Sequence, residues 1–145
     1  MEAADIAVLI IEDNVNDAEL TLRALRGLVG PERILHLEDG VKAAEYLTGQ
    51  AATGGRLPRF VLLDLKLPRV DGLELLRLIR TDPRTQSVPV VVLTSSREEH
   101  DLRESYRLGA NSYLVKPVGF QEYVSAVEQA GRYWLELNQL PPAPR

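Results

Sequence analysis

Three short runs of uninterrupted apolar residues constrain this chain more than any other feature: Ile6-Ala7-Val8-Leu9-Ile10-Ile11, Phe60-Val61-Leu62-Leu63 and Val90-Val91-Val92-Leu93. Each has strand length, and β-branched residues dominate the first and third. A strand with one wetted face alternates apolar and polar residues. Continuous apolarity requires cover on both faces, the condition of strands in a parallel sheet between helical layers. Ile34-Leu35-His36-Leu37 and Ser112-Tyr113-Leu114-Val115 are weaker strand candidates. Stretches of helical periodicity separate the five. They run from Ala18 to Leu28, stopped by Gly30-Pro31, from Val41 to Leu47, from Leu73 to Ile79, from Glu98 to Leu108, stopped by Gly109, and from Phe120 to Asn138. Strands alternating with helices predict an α/β fold: a doubly wound, five-stranded parallel sheet with five helices and right-handed crossovers. Residues 48–58, with Gly49, Gly54, Gly55 and Pro58, read as the loosest loop.

A chain of 145 residues is one domain's worth. The expected division is a domain over 1–140 and an extended Pro-rich tail over 141–145. The net charge of −4 argues against nucleic acid or an anionic membrane as the main partner. There is no cysteine, which excludes a disulfide framework, a cysteine-ligated zinc and a thiol nucleophile. Met1-Glu2-Ala3-Ala4-Asp5 is acidic where a signal peptide needs positive charge, and Ile6–Ile11 is too short to span a bilayer. A cytoplasmic location is expected.

In open α/β sheets, ligands bind beyond the carboxyl ends of the strands. The first strand ends in Glu12-Asp13, the third in Asp64, the fourth in Thr94-Ser95-Ser96 and the fifth in Lys116-Pro117. The second ends in Glu38-Asp39 and reads as an edge strand. Three acids, a hydroxyl and a lysine thus converge on one rim. Two unit charges ~4 Å apart repel by ~4 kcal/mol at an effective dielectric of ~20, so clustered carboxylates call for a cation or a raised pKa. Oxygen ligands without His or Cys suit Mg2+, which keeps open positions for phosphate oxygens. A carboxylate can itself be the nucleophile and form an aspartyl phosphate, and Asp64 is central among the acids.

From Asp5 to Gln139 the chain resembles the receiver domain of bacterial two-component response regulators. The resemblance rests on Ile10-Ile11-Glu12-Asp13-Asn14, on Leu63-Asp64-Leu65-Lys66-Leu67-Pro68 with Asp71-Gly72, on Val92-Leu93-Thr94-Ser95, and on Gly109-Ala110-Asn111 leading to Tyr113-Leu114-Val115-Lys116-Pro117. It implies the flavodoxin-like receiver fold with strand order 2-1-3-4-5. It further implies that Asp64 is the phosphoacceptor for a sensor histidine kinase. Glu12, Asp13, Asp64 and the main-chain carbonyl of Lys66 would hold Mg2+. Thr94 and Lys116 would bind the phosphoryl group, Tyr113 would swing inward as Thr94 moves, and the Lys116–Pro117 peptide would be cis. On this reading the protein is a phosphoacceptor that assists its own phosphorylation and dephosphorylation, not an enzyme acting on a separate substrate. It signals through protein contacts, since no output domain is evident. The side chains of Lys66 and Ser96 are expected to border the phosphoryl group, with Lys66 affecting its lifetime.

Phe120, Val124, Val127 and Trp134 supply a core-facing stripe for the fifth helix. A second apolar line, Ala126, Ala130, Tyr133 and Leu137, points to a homodimer that uses Ala130, Tyr133, Trp134 and Leu137. The ending Tyr133-Trp134-Leu135-Glu136-Leu137-Asn138 before Pro141-Pro142, with Lys66 and Asn111-Ser112, resembles stand-alone regulators paired with bacterial phytochromes, implying a bacteriophytochrome kinase as partner. Kinase docking is expected on the first helix, around Val15, Ala18 and Leu22, and on the loop after Lys116. His36 and His100 read as strand and surface residues, and Arg77, Arg80 and Arg84 as a solvated helix face. The alternatives are a degenerate receiver serving only as an interaction module, or an Asp-nucleophile phosphohydrolase. The latter wants a second acid where Lys66 stands. Phosphate-loop, dinucleotide and serine-hydrolase motifs are missing.

Overall fold

A computed structural model describes residues 5–142. Met1–Ala4 and residues 143–145, most of the expected tail, lie outside the described residues. The elements run β1 (Val8–Ile11), α1 (Val15–Arg26), a 3-10 turn (Pro31–Arg33), β2 (Ile34–Leu37), α2 (Gly40–Ala52), β3 (Phe60–Leu63), α3 (Gly72–Thr81), β4 (Val90–Thr94), α4 (Glu99–Arg107), β5 (Ser112–Val115), α5 (Phe120–Arg132) and a π turn (Tyr133–Leu137). The strands form one sheet in the order β2-β1-β3-β4-β5, every pair parallel. Fold class, strand order and helix count match the expectation.

Strands β1, β3 and β4 are buried throughout, as continuous apolarity requires, whereas the edge strands β2 and β5 are half-buried. Alternate residues face opposite layers. Val8, Ile10, Phe60, Leu62, Val91 and Leu93 pack with Ala24 and Leu25 of α1 and Tyr123 and Val127 of α5. Leu9, Ile11, Val61, Leu63 and Val90 pack with Ala43 and Leu47 of α2 and Leu75, Leu76 and Ile79 of α3. The two faces of one sheet therefore carry two cores.

Side-chain caps set three helix starts. Asn14, Asp39 and Asp71 accept hydrogen bonds from the amides of Asp17 (3.0 Å), Lys42 (2.8 Å) and Glu74 (3.0 Å). The Asn14 cap starts α1 three residues earlier than periodicity predicts. Helix α2 runs through Thr48-Gly49 to Ala52, shortening the expected loop, because a solvent-facing glycine weakens a helix without stopping it. Helix α4 ends in a Schellman motif: the amides of Gly109 and Ala110 donate to the carbonyls of Tyr106 and Ser105, and Gly109 has φ +102°. Beyond α5, the Asn138 amide reaches the Tyr133 carbonyl at 2.8 Å, converting the expected last α-turns into a π turn.

Two expectations need correction. The buried stripe of α5 is Tyr123, Val127 and Gly131, with Val124 and Trp134 half-buried. Phe120 is half exposed, with the Arg23 guanidinium 5.4 Å above its ring. Tyr123 wins the inward position because its hydroxyl meets Thr21 Oγ1 at 3.0 Å, so a tyrosine serves as core. Arg80 is not part of a solvated face. Its guanidinium donates to the carbonyls of Gly109, Gln86 and Val88 and to Asn111 Oδ1, tying α3 to the loops flanking β4. Arg77 and Arg84 are exposed, paired with Glu74 and Asp82.

Candidate functional site: a carboxylate cluster around a buried lysine

Strand register assembles the site. Ile11 pairs with Leu63, and the Asp64 amide donates to the Ile11 carbonyl at 3.0 Å, placing Asp64 beside Glu12. Thr94 pairs with Val115, and the Lys116 amide donates to the Thr94 carbonyl at 2.7 Å. The ends of β1, β3, β4 and β5 thereby share one rim. Glu12, Asp64 and Thr94 are buried, and Asp13 is exposed. Glu12, Asp13 and Asp64 each offer a carboxylate oxygen within 4.8 Å of the others.

Lys116 occupies the centre. Its ammonium lies 2.6 Å from Glu12 Oε1, 2.8 Å from Asp64 Oδ2 and 2.8 Å from Asp17 Oδ2, and its side chain is only 8% exposed. Burial alone lowers a lysine pKa, but the three carboxylates outweigh it and hold the ammonium firmly charged. Burial pushes Glu12 up to about 7; the Lys116 hydrogen bond opposes this and the charge of Asp64 adds to it. The Asn14 and Lys66 amides donate to Glu12 Oε2 (3.1 Å) and Asp64 Oδ1 (3.2 Å). An all-oxygen donor set of three carboxylates, with a main-chain loop beside it, suits a hard divalent cation. An open groove of about 600 Å³ lies over this rim, lined by Asp13, Lys66, Pro68, Asp71, Glu98 and Asp101 among others.

The expected switch residues form a chain of contacts. The Tyr113 hydroxyl donates to the Ser96 carbonyl at 3.0 Å, the Ser96 amide faces Thr94 Oγ1 at 3.4 Å, and Ser96 Oγ donates to Asp101 Oδ2 of α4 at 2.5 Å. Burial raises the Tyr113 pKa. Ser96 is buried and Lys66 is exposed at the groove wall. No described peptide bond is cis, so Lys116–Pro117 is trans; even before proline, trans is the lower-energy form by about 0.5–1 kcal/mol. Asp17 escaped the sequence reading because it sits in the first turn of α1, not at a strand end. The available signal was its place four residues after Asp13, one helical turn from the rim. His36 lies on β2 with its Nε2 2.7 Å from the Glu12 carbonyl oxygen, and His100 is on the exposed face of α4. On the expected docking face, Val15 and Val118 are highly exposed and Leu22 is half-buried, but Ala18 is buried and drops out.

The rim geometry has a counterpart in known proteins. Residues 8–128 match the family model described as the response regulator receiver domain. The chain belongs to the response regulator receiver family. Phosphorylation on an aspartate is typical of this family. The receiver is 44% identical over 142 residues to the probable methanogenesis regulatory protein FilR2 of Methanothrix harundinacea, covering 97% of this chain and 92% of that one. The solved structure of the phosphorylated cyanobacterial phytochrome response regulator RcpA superposes with a TM-score of 0.87 at 34% identity, covering 96% of this chain and all of that one. That of the Mn2+-bound form of response regulator Rcp1 gives 0.84 at 34% identity, covering 93% and 98%. The receiver is thus homologous to stand-alone phytochrome-associated regulators. Among its described residues no helix is long and apolar enough to cross a membrane.

Proposed function

We propose that this receiver is a cytoplasmic response regulator that accepts a phosphoryl group on Asp64 from a phosphohistidine of a sensor histidine kinase. The observation that carries the proposal is the buried Asp64 carboxylate, held 2.8 Å from the Lys116 ammonium within the three-carboxylate cluster. Glu12, Asp13, Asp64 and the Lys66 main-chain carbonyl would hold Mg2+. When bound, the ion supplies positive charge to the transferring phosphoryl oxygens. An Asp64 oxygen bonds to phosphorus as the phosphorus–nitrogen bond breaks, and the electron pair departs with the imidazole nitrogen. Lys116 shifts a donor from carboxylate to phosphoryl oxygen, and the Thr94 hydroxyl turns toward it. The chain of contacts through Ser96 then carries the change to Tyr113 and to Asp101 on α4, with Pro117 following Lys116 in the moving segment. The chain thereby assists its own modification without acting on a separate substrate. Incubation with a small acyl phosphate and Mg2+ should add one phosphate to the intact mass; no gain would reject the reading.

Glu12 gives the site a pH dependence. Its folded value near 7 lies above the ordinary 4.5, so between these values the folded protein binds the extra proton, and stability falls as pH rises through the window. A cation needs that proton gone. Mg2+ affinity should therefore rise up to about tenfold from pH 6 to pH 8, as calorimetric titration would read. A flat profile contradicts the assignment of Glu12 to the cation site.

Similarity to phytochrome response regulators supports a bacteriophytochrome-type kinase as the donor. Phosphotransfer from such a kinase, compared with kinases of other sensory classes, tests this pairing. We also propose a homodimer through Ala130, Tyr133, Trp134 and Leu137. Tyr133 and Leu137 are 47% and 67% exposed, and an open hollow of about 900 Å³ runs between α5 and the free edge of β5, with Tyr133 and Trp134 at one end. Sedimentation should give twice the chain mass at high concentration, and Leu137→Glu should give the monomer. A monomeric parent rejects the dimer.

A further inference from the structure

The Lys116 ammonium donates to Asp17 Oδ2 and Asp64 Oδ2 and is ion-paired with Glu12 Oε1, but of these three carboxylates only Glu12 and Asp64 belong to the cluster that can share a cation. Asp17 stands apart on α1. Its main chain is fixed: the amide donates to Asn14 Oδ1, and the carbonyl accepts from Thr21 Oγ1 at 2.9 Å and from the Tyr123 hydroxyl at 3.3 Å. Its main chain is thus anchored to α1 and α5, independently of the loop after β3, and its carboxylate reaches Lys116 from that fixed point. Lys116 and a divalent cation draw on the same two carboxylates, Glu12 and Asp64. An ammonium that yields them while nearly buried would be left uncompensated, at high cost, unless another anion holds it.

The geometry points to Asp17 as a positioning residue that retains the Lys116 ammonium when Glu12 and Asp64 turn to a cation. The inference rests on the cation-binding role proposed for Glu12, Asp13 and Asp64, and adds a fourth carboxylate that touches the lysine and not the ion. Asp17 lowers the cost of cation entry and keeps Lys116 at the rim, ready for a phosphoryl oxygen.

A double-mutant cycle on Mg2+ affinity, read by calorimetry without any phosphodonor, separates this role from the plain field of one more negative charge. Asp17→Asn should weaken Mg2+ binding about fivefold in the parent, and by less than about twofold when Lys116 is already Met, because no ammonium then needs a counter-ion. Lys116→Met alone should strengthen Mg2+ binding. Equal weakening in both backgrounds overturns the inference and leaves the cation site standing. A parent that binds no Mg2+ overturns the site itself and the inference with it. Should Lys116→Met fail to fold, Glu98→Gln provides the comparison: Glu98 lines the same groove without touching Lys116. Asp17→Asn must then weaken Mg2+ binding at least about threefold more than Glu98→Gln does, and equal effects overturn the inference.

Discussion

Asp64→Asn is expected to abolish phosphoryl uptake. After incubation with a small acyl phosphate and Mg2+, the parent gains one phosphate and the variant none. The substitution keeps the shape of the side chain but removes a nucleophilic oxygen and a unit charge. The lost charge has a second consequence. Lys116 is neutralised by Glu12, Asp17 and Asp64, so two carboxylates still hold the ammonium and the fold survives. Charge relief in the cluster even favours the variant, since Asp64 is one of the groups pushing Glu12 up. Loss of uptake together with an unchanged or raised melting temperature is the pattern expected of a chemical role. Loss of uptake through unfolding would show as a lowered one. Residual phosphorylation of the variant at the parent's rate would mean that another carboxylate is the acceptor.

Gly72→Ala should damage stability and site together. A Cβ at Gly72 would stand 2.5 Å from Leu65 Cα and 2.6 Å from the Asp64 carbonyl oxygen, both main-chain atoms that cannot swing aside. The Gly72 amide donates to the Leu65 carbonyl at 2.8 Å, so the start of α3 is laid directly on the segment after β3. Relief requires that segment to move, and it carries Asp64 and Lys66. Overpacking of this kind costs about 1–3 kcal/mol, and denaturant titration should find a loss of that size. Mg2+ affinity should fall as well, because the displaced main chain includes Asp64. Gly49→Ala is the matched control. It sits within α2, where an added Cβ meets nothing within 4 Å, and should stabilise by up to about 1 kcal/mol without altering Mg2+ binding. If Gly72→Ala is as stable as the parent, the close approach of α3 to the rim is wrong.

What the chain discloses about itself follows from which interactions are local. The three central strands were legible because burial on both faces leaves no room for polar residues, and the rim residues because they directly follow those strands. Thr94 and Lys116, 30 residues or more from Asp64, could be grouped only through the rule that parallel strands deliver their carboxyl ends to one side. Asp17 was hidden because its part depends on the angle at which α1 leaves β1, which apolar periodicity does not encode. Arg80 was misread for the same reason. An arginine on an amphipathic helix looks solvated until the loops bringing the Gly109 and Val88 carbonyls over it are in place. The inward phase of α5 turned on Tyr123, whose hydroxyl finds Thr21 more than a hundred residues earlier. Helix ends were visible where the stop is a left-handed glycine, as at Gly109, and blurred at Asn14, whose cap periodicity does not register, and where a glycine such as Gly49 imitates a stop.

The central claim is that the carboxylate gripped by Lys116 is the one that becomes an acyl phosphate. Borohydride reduces an aspartyl phosphate to the corresponding alcohol, leaving homoserine where the acceptor stood. Peptide sequencing by mass spectrometry after phosphorylation and reduction should find homoserine at position 64 and aspartate at 13 and 17. Homoserine at either of those two positions, or at none, would contradict the account.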